Sequence, residues 1–137
     1  MKMFELKTNG PGLTEITSEV AGWVADQGGE GVLTLMIRHT SASLLIQENA
    51  DPDVQRDLKA YFGRLVPPAD DPSMEYLLHR AEGPDDMPAH IKAAMMPVSL
   101  SIPVEGGRMA LGTWQGIYIF EHRARPHRRQ VAAYLAR

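Results

Sequence analysis

Five histidines are the side chains of this sequence best suited to chemistry near neutral pH, since imidazole titrates at about pH 6.5 and binds transition metals through nitrogen. They are His39, His79, His90, His122 and His127. The sequence contains no short-spacing metal motif such as His-Glu-x-x-His. Each histidine alone also fits a surface or hydrogen-bonded structural role, so a shared site requires a fold that brings distant segments together.

His39 ends the strand-like run "VLTLMIRH", in which alternation places its side chain on the same face as Leu33, Leu35 and Ile37. We therefore expect His39 to point toward the interior or a cleft. Two interpretations stay open: a core histidine bonded to a hydroxyl of the following "TSAS", or a member of a site. No nucleophile-elbow pattern surrounds these serines, which argues against a serine hydrolase.

His79 and His90 stand near the two ends of "YLLHRAEGPDDMPAHIK", and their spacing cannot place both on one helical face. Residues 69–90 are rich in Asp, Pro and Gly and predict a long ordered loop with one helical turn around Met74 to His79. A loop of this length in a small domain is usually functional or disordered, and we favour function.

Two further polar residues lie at the ends of predicted elements. Glu48 precedes a helix start at Asp51, where a carboxylate could act as a general base or could only stabilise the helix N-terminus. Gln115 and Glu121 share one face of a strand, but the six residue steps between them span about 20 Å. They cannot both touch one small ligand within a subunit, and alternation excludes His122 from the same face.

The hydrophobic periodicity predicts one domain, residues 1–137, of the α+β class with a mainly antiparallel β-sheet core flanked by helices. Strands are predicted for "MFELKT", "GVLTLMI", "VSLSIPV" and, as one or two strands, "RMALGTWQGIYIFEH", with "EGG" as a hairpin turn. Helices are predicted for the apolar series Leu13, Ile16, Val20, Trp23 and Val24, for the stretch from Asp51 and Pro52 to the prolines Pro67 and Pro68, and for "HIKAAMM". The final "RRQVAAYLAR" fits a helix or a strand.

Composition excludes several classes of function. A net charge of -3 and a pI near 5.9 give no electrostatic footprint for nucleic acid, although "HRARPHRR" is locally basic. The chain has no cysteine, so a metal could bind only His, Asp, Glu or water, and the composition fits a cytoplasmic protein. No apolar run reaches the length of a signal peptide or a membrane span.

Three stretches carry a resemblance to a known family: "HTSASLLIQENADPDVQRDL", "YLLHRAEGPDDMPAHIKAAMM" and "SLSIPVEGGRMALGTWQGIYIFEHR". They resemble the YjbQ family, also called UPF0047, over nearly the whole chain from residue 31 onward. The resemblance implies a compact α+β fold, assembly as a homotrimer and a pocket formed by the polar ends of these motifs. The family histidines match His39, His79 after Tyr76, and His90 after Ala89.

The resemblance therefore implies one site from three separated histidines. We expect His39, His79 and His90 to hold zinc or another divalent metal, or to grip an anion. Glu48 or Asp86 would transfer a proton, and Gln115 would donate a hydrogen bond. Either Asp85 or Asp86 could match the acidic position before the Ala-His pair, and we favour Asp86. The ending "EHRARPHRR" departs from the Asp-Gly-Pro-Arg ending of many members.

The activity associated with the family is a weak thiamine-phosphate synthase reaction, which joins a pyrimidine diphosphate to a thiazole phosphate and releases pyrophosphate. The sequence lacks a Gly-rich phosphate loop and a dense Asp cluster that would hold a magnesium diphosphate. We expect a small metabolic enzyme acting on an anionic or phosphorylated metabolite. The alternative is a noncatalytic protein that binds a metabolite or a partner through the same pocket.

Overall fold

The computed structural model describes residues 1–137 as eight β-strands and three α-helices, which confirms the predicted α+β class. The strands are β1 (Lys2–Thr8), β2 (Gly12–Glu15), β3 (Gly31–Ile37), β4 (Ala42–Glu48), β5 (Ser99–Glu105), β6 (Arg108–Met109), β7 (Gln115–Glu121) and β8 (His127–Ala136). The helices are α1 (Thr17–Gln27), α2 (Pro52–Leu65) and α3 (Asp86–Met95). None of these helices has both the length and the apolar character needed to cross a bilayer.

The strands form two antiparallel sheets, one of five strands in the order β1-β8-β3-β5-β6 and one of three in the order β2-β7-β4. The ambiguous C-terminal segment is strand β8, because it pairs with β1 on one side and β3 on the other. Val131 shows this central position, since it lies opposite Phe4 in β1 and Ile37 in β3.

The core lies between the sheets and helix α1, whose buried residues are Val20 and Val24. The inward face of β3 follows the predicted alternation, with Leu33 and Leu35 fully buried. The prediction that Leu13 belongs to this helix is wrong: Leu13 lies in β2 and pairs with Phe120 of β7. Pairing with β7, the central strand of its sheet, satisfies the backbone hydrogen-bonding groups of β2, and the helix begins only at Thr17.

Helix α2 begins as the sequence predicts. Asp51 is the N-cap, its side chain accepts a hydrogen bond of 2.9 Å from the Asp53 amide, and Pro52 occupies the first turn. No residue of the helix is buried, although Phe62 makes an edge-to-face contact with Phe120 at 5.8 Å between ring centroids. Helix α2 is therefore an outer layer that rests on the three-stranded sheet through few side chains.

The hairpin between β5 and β6 is the predicted "EGG" turn. Gly106 and Gly107 have φ values of 58° and 73°, and the strands close with Glu105 opposite Arg108. Two successive residues with positive φ suit the right-handed twist of the flanking strands, and glycine adopts that conformation without a steric penalty.

A buried ion pair joins the two sheets at the end that carries the candidate functional residues. Arg129 of β8 and Glu121 of β7 form a two-pronged pair, with the Arg129 Nε 2.8 Å from Glu121 Oε1. Thr8 of β1 donates to the same carboxylate at 2.5 Å, and Arg129 also donates to Ser41 Oγ at 3.0 Å. The pair thus links β1, β7, β8 and the segment before β4.

The Glu121 carboxylate is kept ionised inside the protein. Burial alone would raise its pKa, but the hydrogen bonds from Arg129 and Thr8 outweigh burial and hold the pKa below the ordinary value. Because the folded-state pKa is depressed, the pair stabilises the fold above the ordinary carboxyl pKa, and this stabilisation is lost as pH falls through the folded-state pKa.

We predict that Arg129→Met lowers the free energy of unfolding by about 3–5 kcal/mol, because it leaves the Glu121 carboxylate buried without its partner. The double variant Glu121→Leu/Arg129→Met should lose less, since no uncompensated charge remains. Urea unfolding followed by circular dichroism measures both. Arg56→Met, which breaks an exposed pair with Asp53, is the matched control and should change stability by no more than about 0.5 kcal/mol. Equal effects at the two arginines would contradict a central role for the buried pair.

Candidate metal centre

The loop between α2 and α3 is held in one conformation by an arginine at its centre. The guanidinium of Arg80 donates to the carbonyls of Leu77, Ala69 and Met74 at 2.9, 2.9 and 3.0 Å. These contacts satisfy three carbonyls of a segment with little regular structure, which contains only a short 3₁₀ turn at Pro72–Met74. His79 lies directly before Arg80 in this fixed segment.

Two adjacent acidic residues begin helix α3, and Arg123 fixes both. Its Nε lies 2.8 Å from Asp85 Oδ2, and its Nη1 lies 2.8 Å from Asp86 Oδ1. Asp85 also accepts from the Ala124 amide at 2.9 Å. Asp85 is thereby used in joining the loop to the chain after β7, whereas Asp86 keeps its second carboxylate oxygen for the histidines.

Asp86 Oδ2 is the meeting point of two imidazoles. His79 Nε2 lies 2.7 Å and His90 Nε2 lies 3.1 Å from this one oxygen. Glu82 adds an exposed carboxylate 3.8 Å from His79 Nε2. One ligand atom from each of the four residues lies within 4.8 Å of the others, so two nitrogens and two carboxylate oxygens converge in the donor set that zinc and related divalent metals use.

The position of the His90 proton follows from its second contact. His90 Nδ1 lies 2.8 Å from the Thr40 carbonyl oxygen, which can only accept, so Nδ1 carries hydrogen. In the neutral ring Nε2 then carries a lone pair, yet it faces the Asp86 carboxylate at 3.1 Å. Two lone pairs repel each other. The contact therefore requires either a second ring proton or a cation between the two atoms.

The environment of Asp86 favours its ionised form. The side chain is 2% exposed, and burial raises the pKa of its carboxyl, but the hydrogen bond with His79 and the nearby charge of Arg123 help to outweigh burial, and the pKa is lowered overall. Asp86 is a carboxylate at neutral pH. Its geometry therefore suits a ligand or an orienting anion better than the proton-transfer role expected from the sequence.

His39 lies outside this cluster. Its Nε2 accepts a hydrogen bond of 2.8 Å from the Gln130 amide, and its Nδ1 lies 3.3 Å from Arg129. Burial and the Arg129 charge lower the His39 pKa, which keeps the ring neutral within the network of the buried ion pair. The ligand set expected from the sequence changes accordingly: the structure brings His79 and His90 together with Asp86 and Glu82, and it does not bring His39 to them.

Glu48 and Gln115 also lie away from the cluster. They are opposite each other at one end of the β4–β7 pair, while Ala42, next to the segment that contacts His90, is at the other end. Six residue steps along β4 correspond to about 20 Å. Glu48 accepts from the Asp51 amide at 3.1 Å, and Gln115 accepts from the Gly112 amide at 2.7 Å, so both side chains complete local turns.

An open polar pocket adjoins the cluster. Its lining includes Glu82, Gly83, Arg123, Arg125 and His127. The guanidinium of Arg125 forms no ion pair within the chain, whereas Arg123 is paired with the aspartates. Arg125 is therefore the guanidinium in the pocket that is free to bind an anion, although the Glu82 carboxylate lines the same pocket.

A family model described as "UPF0047 protein YjbQ-like" matches residues 2–137. The chain belongs to the YjbQ family. A YjbQ family member from Synechocystis, a UPF0047 protein, is 46% identical over 132 residues, covering 96% of this chain and 87% of the relative. The UPF0047 protein YjbQ of Escherichia coli O157:H7 is 42% identical over 136 residues, covering 98% and 95% of the two chains.

Solved YjbQ-like structures have the same fold. A YjbQ/UPF0047 family protein from Clostridium acetobutylicum superimposes with a TM-score of 0.86 at 33% identity, over 99% of this chain and 100% of that one. A conserved hypothetical protein from Thermus thermophilus gives a TM-score of 0.86 at 29% identity, with the same coverage.

Sequence reasoning placed Asp86 in the site but missed its pairing with His90, because it began the last helix at His90. The helix begins at Asp86, which puts Asp86 and His90 one turn apart on the same face, and the i, i+4 spacing of "DMPAH" is the signal that could have shown it. The positions of Glu82 and Arg123 had no comparable signal. They depend on a loop conformation and on a contact between segments 38 residues apart.

We predict that the neutral His90 ring of the metal-free protein is the Nδ1-protonated tautomer. The Thr40 carbonyl holds the proton on that nitrogen. Long-range ¹H–¹⁵N correlation spectra of the labelled protein report the tautomer, and a His90→Gln sample assigns the resonances. An Nε2-protonated ring would contradict the orientation of the cluster.

Proposed function

We propose that this YjbQ family member is a metal-assisted enzyme acting on a small phosphorylated or otherwise anionic metabolite. The observation that carries the proposal is the approach of two imidazole nitrogens to a single carboxylate oxygen of Asp86, at 2.7 and 3.1 Å. Atoms that ligate one tetrahedral zinc ion lie about 3.3 Å apart, for bonds of about 2.0–2.1 Å. The two distances to Asp86 are slightly shorter than this spacing, and the remaining ligand atoms lie within 4.8 Å of one another.

The residues around the ligand atoms suit a metal centre. The Thr40 carbonyl orients His90 as outer partners orient metal-binding histidines, and Arg123 holds Asp86 from its other oxygen. A bound divalent ion would supply a Lewis acid for an oxygen of the substrate. Glu82, exposed at the rim, is the carboxylate placed to accept a proton from water or substrate.

The adjoining basic pocket supports an anionic substrate. Arg125 and His127 line it together with Glu82 of the cluster, so a phosphate bound there would lie next to the cluster. An arginine can bind two phosphate oxygens at once through parallel N–H donors, which fixes the orientation of the group. The reacting end of the metabolite would then extend toward His79 and His90.

We predict one divalent metal ion per chain, bound through His79, Asp86 and His90. His90→Ala removes a ligand, so it should weaken zinc binding by more than the 10- to 100-fold loss typical when only an outer partner of a ligand is changed. Isothermal titration of zinc into the chelator-treated protein measures this affinity, and elemental analysis gives the stoichiometry.

His39→Gln is the control that separates the two possible ligand sets. Its ring is bonded to Gln130 and Arg129, so zinc affinity should stay close to that of the unmodified protein. Circular dichroism checks that the variants remain folded. A loss of zinc in His39→Gln equal to that in His90→Ala would restore the three-histidine set and contradict His79, Asp86 and His90 as the metal ligands.

We further propose a slow thiamine-phosphate synthase activity at this site, carried over from the family resemblance. The cluster has two carboxylates and two histidines, and Arg125 alone supplies an unpaired guanidinium in the pocket. This is a modest arrangement for a diphosphate leaving group, whose charge must be neutralised as the carbon–oxygen bond breaks.

Turnover with the pyrimidine diphosphate and thiazole phosphate should fall well below about 1 per second, the lower end of typical enzymes. It should disappear in His90→Ala and persist in Lys7→Met, an exposed substitution on β1. Product chromatography measures both. Turnover of about 1–1000 per second, or equal activity in His90→Ala, would contradict the proposal, and binding without turnover would favour the noncatalytic alternative.

We also propose that the protein is a homotrimer. The proposal is based on the family resemblance and on one exposed face of the five-stranded sheet. Val32, Met36 and Tyr134 lie on neighbouring strands β3 and β8 and are 45%, 46% and 56% exposed. Large apolar side chains grouped on a sheet face commonly mark a protein interface. Contact between copies of the chain would cover these side chains.

Multi-angle light scattering should give a trimer mass at micromolar concentration. Tyr134→Glu should shift the mass toward the monomer, because it places a charge in the covered face. Tyr61→Glu, at an exposed tyrosine of α2 that is 61% exposed, is the matched control and should leave the trimer intact. A monomer mass for the unmodified chain would overturn the proposal.

A further inference from the structure

A second cavity lies beneath helix α2 and does not include the histidines of the metal cluster. Its volume is about 290 Å³, and its walls include Phe62 and Val66 near the end of α2, Pro88 of α3, and Phe120 of β7. This volume is at the lower end of ligand pockets, which are about 300–1,000 Å³. The cavity explains why α2 touches the sheet through few side chains.

A histidine in the cavity wall has an unsatisfied atom. His122 is 4% exposed, and its Nε2 lies 2.9 Å from Ser43 Oγ, but its Nδ1 has no hydrogen-bond partner in the protein. No other buried side-chain nitrogen or oxygen lacks a partner. A buried polar atom left without a partner costs about 1–3 kcal/mol, so a ligand that supplied one would recover that free energy.

The His122 ring is neutral. Burial, followed by the nearby charge of Lys92, lowers its pKa to about 3. A neutral imidazole carries a single proton, and Ser43 can donate its hydroxyl to Nε2. That arrangement leaves the proton on Nδ1, which can then donate to an acceptor.

The unbalanced charge of the cavity wall is positive. Lys59 and Lys92 line the cavity, and neither forms an ion pair with a carboxylate of the chain. The two wall carboxylates are already neutralised, since Asp85 is bonded to Arg123 and Glu121 to Arg129. The cavity therefore combines apolar walls, two free ammonium groups and one imidazole donor.

We propose that this cavity is a second ligand site, one that binds a small monocarboxylate with an apolar body, such as an aromatic or short-chain acid. The carboxylate would lie beside Lys92 and next to the His122 ring, whose Nδ1 is covered in the unliganded protein and would reach the ligand after a small movement of the ring. The apolar body would pack against Phe62 and Phe120. A phosphate dianion fits less well, because its additional oxygens would need donors that the apolar walls do not provide. The proposal does not depend on the activity of the metal cluster.

The test is a titration of the full-length protein with benzoate and with hexanoate, in which ¹H–¹⁵N spectra detect binding. Both acids should shift amide resonances of α2, α3 and Ala124 and should move the ¹⁵N resonances of the His122 ring. Inorganic phosphate should leave the His122 ring unchanged. A His122→Gln sample assigns the ring signals.

Lys92→Met should weaken benzoate binding at least about tenfold, as expected for a hydrogen bond to a charged group. Lys7→Met makes the same chemical change on exposed strand β1 and should leave the affinity unchanged. Urea unfolding of both variants verifies that the fold is intact. No binding at about 20 mM acid, a concentration well above a dissociation constant of about 1 mM, would overturn the proposal. Equal benzoate affinity in Lys92→Met and Lys7→Met would overturn it as well.

Discussion

The buried pair of Glu121 and Arg129 is the interaction on which the rest of the structure depends. It joins a strand of each sheet, and the same Glu121 carboxylate accepts hydrogen bonds from the backbone amides of His122 and Arg123, both at 3.1 Å. The backbone of Arg123 is thereby fixed, and its guanidinium holds Asp85 and Asp86. The position of the cluster of His79, Glu82, Asp86 and His90 thus depends on a charge pair that takes no direct part in it.

The buried carboxylates of Glu121 and Asp86 differ in how many of their lone pairs are used by hydrogen bonds within the protein. Glu121 accepts five hydrogen bonds, from Thr8, twice from Arg129 and from two backbone amides, so its lone pairs are used within the protein. Asp86 is held by Arg123 on one oxygen only, and its other oxygen faces imidazole nitrogens of the kind that ligate metals. Of the two carboxylates, Asp86 is therefore the one whose lone pairs are not fully used by hydrogen bonds from the arginine and the backbone.

Much of the fold could be predicted from local signals, whereas the assembly of the site could not. The cap at Asp51 and the "EGG" turn are fixed by short-range chemistry and were predicted correctly. Strand β8 was ambiguous because only its pairing with β1 and β3 decides its structure. The inward direction of His39 followed from alternation, but its partner Arg129 is 90 residues away, and no periodicity shows such a contact.

A divalent metal held by His79, Asp86 and His90 without His39 would be visible by anomalous diffraction at the zinc edge, from crystals grown with zinc. We expect one strong peak per chain about 2.0–2.1 Å from the Nε2 atoms of His79 and His90 and about 2.0–2.2 Å from the Asp86 carboxylate. A peak bound to His39, or none while both imidazoles remain bonded to Asp86, would contradict this metal site.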